Sequence, residues 1–300
     1  MANDAGDGAG RARAVLVTGC GSGIGKATAL RLAKTDWVVY ATARKPSDLA
    51  ELAAAGCKTL QLDVTKSASM RAAVEAIEAA HGSVSALVNN AGYSQSGAIE
   101  AVPMERVRAQ FETNVFGLVE LTQLVLPGMR RAGFGRVINM SSMGGKLVFP
   151  GGGFYHATKY AVEAISDALR FEVAAFGIGV VLIEPGLIKS GFSDAAIGGM
   201  GAQNPGSEEA YGEFHEAVAR ATKESYEKGP LAKLAGSPDD VAKVVEKALL
   251  AKKPKPRYTV SGSAKLLLTQ RKLMGDRTWD WFLRSNFPSP GKAGKALAKR

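Results

Sequence analysis

Thr18-Gly19-Cys20-Gly21-Ser22-Gly23-Ile24-Gly25 decides the fold of this chain through what stands on either side of it. Before it comes a short apolar run, Val15-Leu16-Val17; after it, the pattern from Ile24 to Ala33 is helical. Glycines in a strand-to-helix turn let the backbone reverse tightly and let its N–H groups approach an anion. The positive end of the helix dipole attracts the same group. A glycine turn with no ligand is the competing reading for the octet alone.

Working outward, the alternation continues. Trp37 to Ala41, Thr59 to Leu62, Ala86 to Val88, Arg136 to Met140 and Val180 to Ile183 read as strands. Between them, Ser69 to Ala80, about Val115 to Arg131, and Tyr155 to Phe176 read as helices. The strands are short, continuous and β-branched, as in a parallel sheet covered on both faces. The pattern predicts an α/β fold: a Rossmann-like, doubly wound parallel sheet in a single domain, with helices on both faces and a C-terminal helical extension. Ligands then bind at the carboxyl ends of the strands.

Residues 190–235 break the rhythm. Gly191, Gly198, Gly199, Gly201 and Gly206 punctuate a stretch that then turns polar and helical, which reads as a mobile substrate loop or lid. Ser237-Pro238-Asp239-Asp240 reads as an N-cap, a proline at the first helical position and acids in the first turn. That helix ends near Leu250, and Arg257 to Val260 reads as a last strand. The expected organisation is a disordered N-terminus at 1–12, a catalytic domain at 13–262 containing the substrate loop 190–235, and a basic helical extension at 263–300.

Composition excludes several classes. With 46% hydrophobic and 22% charged residues, the chain is an ordinary globular protein. Cys20 and Cys57 give no disulfide framework, the N-terminus lacks an apolar signal core, and no run of eighteen apolar residues exists. A cytoplasmic location is therefore expected. The net charge of +10 is concentrated: residues 251–300 hold 13 Lys/Arg and 2 Asp/Glu, so the first 250 positions sum to about −1. No nucleic acid is expected as a partner, because a basic tail without a recognition motif or stacking platform is weak grounds for one. His81 and His215 stand far from any cysteine or carboxylate cluster, so no metal is expected.

The glycine octet does not fit G-x-G-x-x-G but fits T-G-x-x-x-G-x-G, and further motifs follow in order: Asp63-Val64, Asn89-Asn90-Ala91-Gly92, Asn114, Ser142, Tyr155, Lys159 and Pro185-Gly186. On these the chain, from about residue 13 to 288, resembles the short-chain dehydrogenase/reductase family. The resemblance implies an oxidoreductase that moves a hydride between a nicotinamide cofactor and a carbonyl or alcohol. It also implies that Gly19, Gly21, Ser22, Gly23, Ile24, Gly25, Asp63, Val64, Asn90, Ala91, Gly92, Pro185, Gly186 and Ile188 line the cofactor. Asp63 would contact the adenine, Lys159 the nicotinamide ribose, and Asn114 a water joining Lys159 to solvent.

The end of the second strand bears on which cofactor. An acid there accepts from the ribose 2′-hydroxyl of NAD, and a basic group holds the 2′-phosphate of NADP. The strand runs into Arg44-Lys45 with no carboxylate until Asp48, so NADP(H) is expected, with Arg44 and Ser22 on the phosphate. Arg44 and Lys45 as solvated loop charges are the bland alternative.

Tyr-x-x-x-Lys alone is weak, since seven tyrosines and 21 lysines in 300 positions give about 0.5 chance matches. Ser142, 13 residues before Tyr155, and Asn114 supply the context. Positions i and i+4 share a helix face, so Lys159 is expected to lower the Tyr155 pKa and let it relay a proton. Ser142 would hydrogen-bond the substrate oxygen. His156, one position along, points about 100° away and is expected to pack or meet solvent.

Lys146 to Phe149, Tyr93 to Gly97 and Leu187 to Phe192 are mainly apolar or small, which fits a lipophilic carbonyl or secondary alcohol. The pattern around Val39 to Arg44, with residues 155–172, resembles the branch holding 17β-hydroxysteroid and retinol dehydrogenases and acyl-dihydroxyacetone-phosphate reductases. Steroid-, retinoid- or lipid-like substrates follow from that resemblance, as does a homodimer or homotetramer paired through the two long helices. The apolar residues of the tail either lie on an anionic membrane as a peripheral contact or, the preferred reading, cover the substrate pocket or a subunit interface. The alternative function is a non-catalytic NADP-binding redox sensor or scaffold of the same fold.

Overall fold

The computed structural model describes residues 12–198, 200, 204, 206–287 and 289–290. The expectation of disorder at 1–12 therefore falls, apart from Ala12, outside the described residues, as does the end of the basic tail. Seven strands are β1 (Ala14–Val17), β2 (Val38–Ala43), β3 (Lys58–Gln61), β4 (Ala86–Asn89), β5 (Gly135–Met140), β6 (Ile178–Pro185) and β7 (Arg257–Val260). The helices between β1 and β5 are α1 (Gly23–Leu32), α2 (Ala50–Ala54), α3 (Ser67–His81), α4 (Met104–Phe111) and α5 (Gly117–Ala132). After β5 come α6 (Gly153–Val173), α7 (Phe192–Gly198), α8 (Glu208–Glu227), α9 (Gly229–Lys233), α10 (Pro238–Leu250), α11 (Gly262–Leu273) and α12 (Asp276–Asn286).

The strands form one parallel sheet in the order β3-β2-β1-β4-β5-β6-β7. Because successive residues of a strand face opposite sides, the apolar runs fill two layers. Val15 and Val17 join Val39, Val88 and Ile138 against α1 and α10, where Val241 and Val245 are fully buried. Ala14 and Leu16 face the other way with Leu87 and Val137, onto Met70, Ile77, Leu121 and Val125 of α3 and α5. Each such buried leucine or isoleucine contributes ~1.5–3 kcal/mol of hydrophobic stabilisation. The fold is thus the expected doubly wound Rossmann-like α/β domain. Its winding reverses between β1 and β4, so the carboxyl ends of those strands open a crevice.

Ser237 caps α10 as its sequence implies: its Oγ accepts from the Asp240 N–H at 3.2 Å, and Asp240 Oδ2 accepts from the Ser237 N–H at 2.9 Å. Two stretches differ from expectation. The long helix expected from Val115 is preceded by α4 and a π-helical turn, Glu112–Phe116. The stretch 190–235 turns helical as its sequence implies, but more extensively than a loop or lid would, with α8 spanning 20 residues.

Candidate active site

The glycine turn leaves β1 at Val17 and enters α1 at Gly23. Gly19 has φ +71° and Gly23 φ +54°, conformations that penalise a side chain. Close approach constrains them further. A Cβ on Gly19 would stand 2.9 Å from Ala91 Cα, and one on Gly25 would stand 2.3 Å from Gly19 O. Thr18 and Asn90 hold the turn to the end of β4: Thr18 Oγ1 accepts from the Asn90 and Ala91 N–H groups, each at 3.0 Å. Asn90 Nδ2 donates to Thr18 O at 2.9 Å. Asn90 thus shapes the cradle with its side chain. Ser22, the N-cap of α1, makes no side-chain cap bond, so its hydroxyl is not committed to the helix. Cys20, between them, donates to Val17 O, and burial pushes its thiol up to about 12, which leaves it inert.

A cleft of about 1410 Å³ runs from this cradle along the carboxyl ends of the strands. Gly19, Gly21, Ser22, Gly23, Ile24, Arg44, Asp63, Val64, Asn90, Ala91 and Gly92 line one end; Ser142, Tyr155, Lys159, Pro185, Gly186 and Ile188 lie further along. Gly25 stands behind the turn and Asn114 behind Gly92, shaping the wall. A glycine cradle, an open helix N-terminus and a continuous cleft fit a dinucleotide. Arg44 is exposed at the lip. Asp48, remote in the strand pattern, folds back so that a Cβ on Gly21 would stand 3.2 Å from its own Cβ and 3.3 Å from its Oδ2. An acid therefore does stand beside the turn, which the strand pattern did not show. Asp63 spends Oδ1 on the Thr65 N–H (3.0 Å) and hydroxyl (2.8 Å). Burial alone would raise its carboxyl; those bonds and the Arg44 charge together hold it below the usual range.

Tyr155 and Lys159 sit on the first turns of α6, on the face turned to the sheet edge. Lys159 Nζ donates to Met140 O at 2.8 Å and lies 5.7 Å from the Tyr155 ring centroid. Burial presses its pKa down to about 8, against the opposing charge of Glu163 one turn on. Tyr155 departs from expectation. Burial raises its phenol above the ordinary value, the hydrogen bond with Ser142 lowers it less, and Tyr226 of α8 raises it further. The ammonium bonds a carbonyl beside the ring, so it does not offset the loss of water around the hydroxyl. The buried phenol keeps its proton at neutral pH.

Ser142 ends β5 and caps a short turn, with its Oγ accepting from the Gly144 N–H at 3.0 Å. Asn114 lies in the π-helical turn. Its Nδ2 donates to Tyr93 O (2.9 Å) and Thr158 Oγ1 (3.1 Å), and its Oδ1 accepts from the Tyr93 N–H (3.1 Å). Thr158 in turn donates to Tyr155 O at 2.7 Å, so Asn114 braces the start of α6. A Cβ on Gly92 would meet Asn114 Oδ1 at 3.1 Å and Lys159 Nζ at 3.8 Å, which brings those two groups to one place.

The cleft continues past Tyr155 between Met143 to Gly152, α8, α9 and the last two helices. Val218, Ala221, Thr222, Ser225 and Tyr226 reach it from α8 at spacings of three and four, one face of a helix whose spacing is present in the sequence. Leu267 and Trp279 of α11 and α12 are buried with Met143, Leu147 and Leu187. The tail's apolar side thus covers the cleft, while Leu273 and Trp281 stay exposed. Among the described residues, no helix is long and apolar enough to cross a membrane, and no three His, Cys, Asp or Glu side chains group as metal ligands.

Sheet order, glycine cradle and the Ser–Tyr–Lys grouping define a dinucleotide-dependent oxidoreductase of the doubly wound type. Residues 13–197 match the family model for short chain dehydrogenases, and the chain belongs to that family. It is 45% identical over 180 residues to a 3-ketodihydrosphingosine reductase of Bacteroides thetaiotaomicron, a match covering 60% of this chain and 65% of that one. It is 37% identical over 278 residues to an NADPH-dependent 3-dehydrocapnine reductase of Ornithobacterium rhinotracheale, covering 89% and 95%. A solved short-chain dehydrogenase from Streptomyces avermitilis superposes with a TM-score of 0.72 at 35% identity, covering 87% and 92%.

Proposed function

We propose that this chain is an NADP(H)-dependent reductase of a lipophilic ketone, with Ser142, Tyr155, Lys159 and Asn114 as its catalytic set. The observation that carries the reading is the placement of Tyr155: it lines the cleft with Ser142, has Lys159 Nζ 5.7 Å from its ring, and stands where the glycine-cradled cleft meets an apolar one. Bound NADPH would supply the hydride. Ser142 would orient the carbonyl oxygen and Tyr155 would donate the proton to it as negative charge develops. Lys159 and Asn114, facing Gly92, would return a proton from solvent to Tyr155.

Arg44 supports NADP(H): it meets no carboxylate within 4 Å among the described residues, whereas Asp48 lies against Gly21. The names of the reductase relatives, one of them NADPH-dependent, support the same choice and a long-chain carbonyl substrate. In this reading the stretch 190–235 and the extension from residue 263 wall the substrate end. Exposed Phe116 and Phe171, on the π-helical turn and α6, support pairing of two copies through the long helices. The test follows NADPH absorbance with a panel of long-chain 3-keto, steroid and retinoid carbonyls. Turnover of one of them, abolished in Tyr155→Phe with NADPH binding retained, is the expected result. Near wild-type kcat in that variant removes Tyr155 from the reaction.

A further inference from the structure

His156 takes no part in the proposed proton transfer, yet its ring is held on every side. It is buried between two glycines: a Cβ on Gly144 would stand 2.4 Å from its Nδ1, and a Cβ on Gly152 would stand 2.7 Å from its Nε2. Nδ1 lies 3.1 Å from Gly144 O, and Nε2 lies 3.4 Å from the Phe149 nitrogen. A carbonyl can only accept and an N–H can only donate. Both bonds therefore form in one protonation state, the neutral ring with its hydrogen on Nδ1.

The same residue that receives the Nδ1 hydrogen passes the constraint on. The Gly144 N–H donates to Ser142 Oγ at 3.0 Å, which fixes one lone pair of the serine, while the hydroxyl itself donates only over a long 3.5 Å to Pro185 O, a bond that a substrate oxygen can replace. At the other nitrogen, Phe149 is packed by His156 at 6.2 Å between ring centroids and by Trp279 and Phe287 at 6.1 Å each. One ring thus ties the start of the catalytic helix to Ser142 on one side and to the C-terminal cover on the other.

We infer that His156 is a positioning residue, which aligns Ser142 on the substrate oxygen through Gly144 and seats Phe149 in the substrate wall. The inference rests on the proposed role of Ser142. It is tested by steady-state kinetics of His156→Asn, His156→Gln and Ser142→Ala, with NADPH affinity measured by fluorescence titration. The Asn amide nitrogen takes the place of Nδ1 and keeps the bond to Gly144; the Gln amide reaches only the place of Nε2. Losing one aligned hydrogen bond should lower kcat of the Gln variant about tenfold, while the Asn variant retains most of kcat and shows a raised KM through Phe149. NADPH affinity should be unchanged in both. Equal kcat in the Asn and Gln variants, or a loss of NADPH affinity that tracks the loss of kcat, overturns the inference. If Ser142→Ala itself turns over near the wild-type rate, the proposed role of Ser142 fails instead.

Discussion

The surroundings of His156 make the stability of the fold sensitive to acid in a way that can be isolated. Burial lowers its pKa from 6.5 to about 4, and the hydrogen bond to the Gly144 carbonyl only partly opposes this. The folded protein therefore binds the proton less readily than the unfolded chain does. Its contribution is fully present above about pH 6.5 and is lost as pH falls toward 4. One pKa unit corresponds to ~1.4 kcal/mol, so the whole window is worth ~3.5 kcal/mol, of which ~2.5 kcal/mol has gone by about pH 4.5. Asp63, Asp167, Asp239 and Asp240, all held low in the fold, lose stability over part of the same range. Subtraction removes them: urea unfolding of wild type and His156→Asn, followed by circular dichroism at about pH 7 and about pH 4.5, shares every other titration. The stability difference between the two proteins should swing by ~2–3 kcal/mol against the wild type on acidification. A difference that stays constant would mean the imidazole titrates normally and is not enclosed as described.

Three other outcomes follow from distances already given. Arg44→Asp places a second carboxylate near Asp48 at the lip of the cleft, and should shift relative kcat/KM from NADPH toward NADH by about tenfold or more; an unchanged ratio would remove Arg44 from cofactor choice. Glu163→Gln removes the charge that supports the Lys159 ammonium, so the alkaline limb of the kcat profile, expected near pH 8, should move to lower pH; an unmoved limb would separate Lys159 from turnover. Gly25→Ala drives a methyl to 2.3 Å from Gly19 O and 2.5 Å from Asn90 Nδ2, and should cost ~1–3 kcal/mol in stability and weaken NADPH binding. Gly191→Ala meets nothing within 4 Å and is the control; equal effects of the two substitutions on urea midpoints would argue against the cradle.

What could be read from the chain was whatever depends on short-range periodicity. β1, the glycine octet and α1 are contiguous, so period, turn chemistry and helix start agree within twenty residues. The grouping of Ser142, Tyr155 and Lys159 in one cleft was legible for a different reason: no single motif was specific, but several stood in the order that one crevice requires. Elements whose character depends on distant packing were not legible. Asn114 stands in a π-helical turn whose neighbour Gly117 would place a Cβ 2.2 Å from Val64 O, a contact no local pattern announces. Asp48 follows the strand by five residues and still returns to Gly21, because Pro46–Leu49 form a single 3₁₀ turn.

The Tyr155 phenol shows the same division in energetic terms. Helical spacing correctly placed an ammonium one turn away, and from that alone its pKa should fall. The sign is set instead by how completely water is removed, and Tyr226, some seventy residues later on α8, adds a smaller push in the same direction. An ion on one face of a ring acts over a few ångströms, whereas desolvation sums over everything that encloses the hydroxyl. Local spacing therefore identifies which groups meet, and the tertiary enclosure decides which of them holds the proton. For Tyr155 that enclosure favours the protonated phenol.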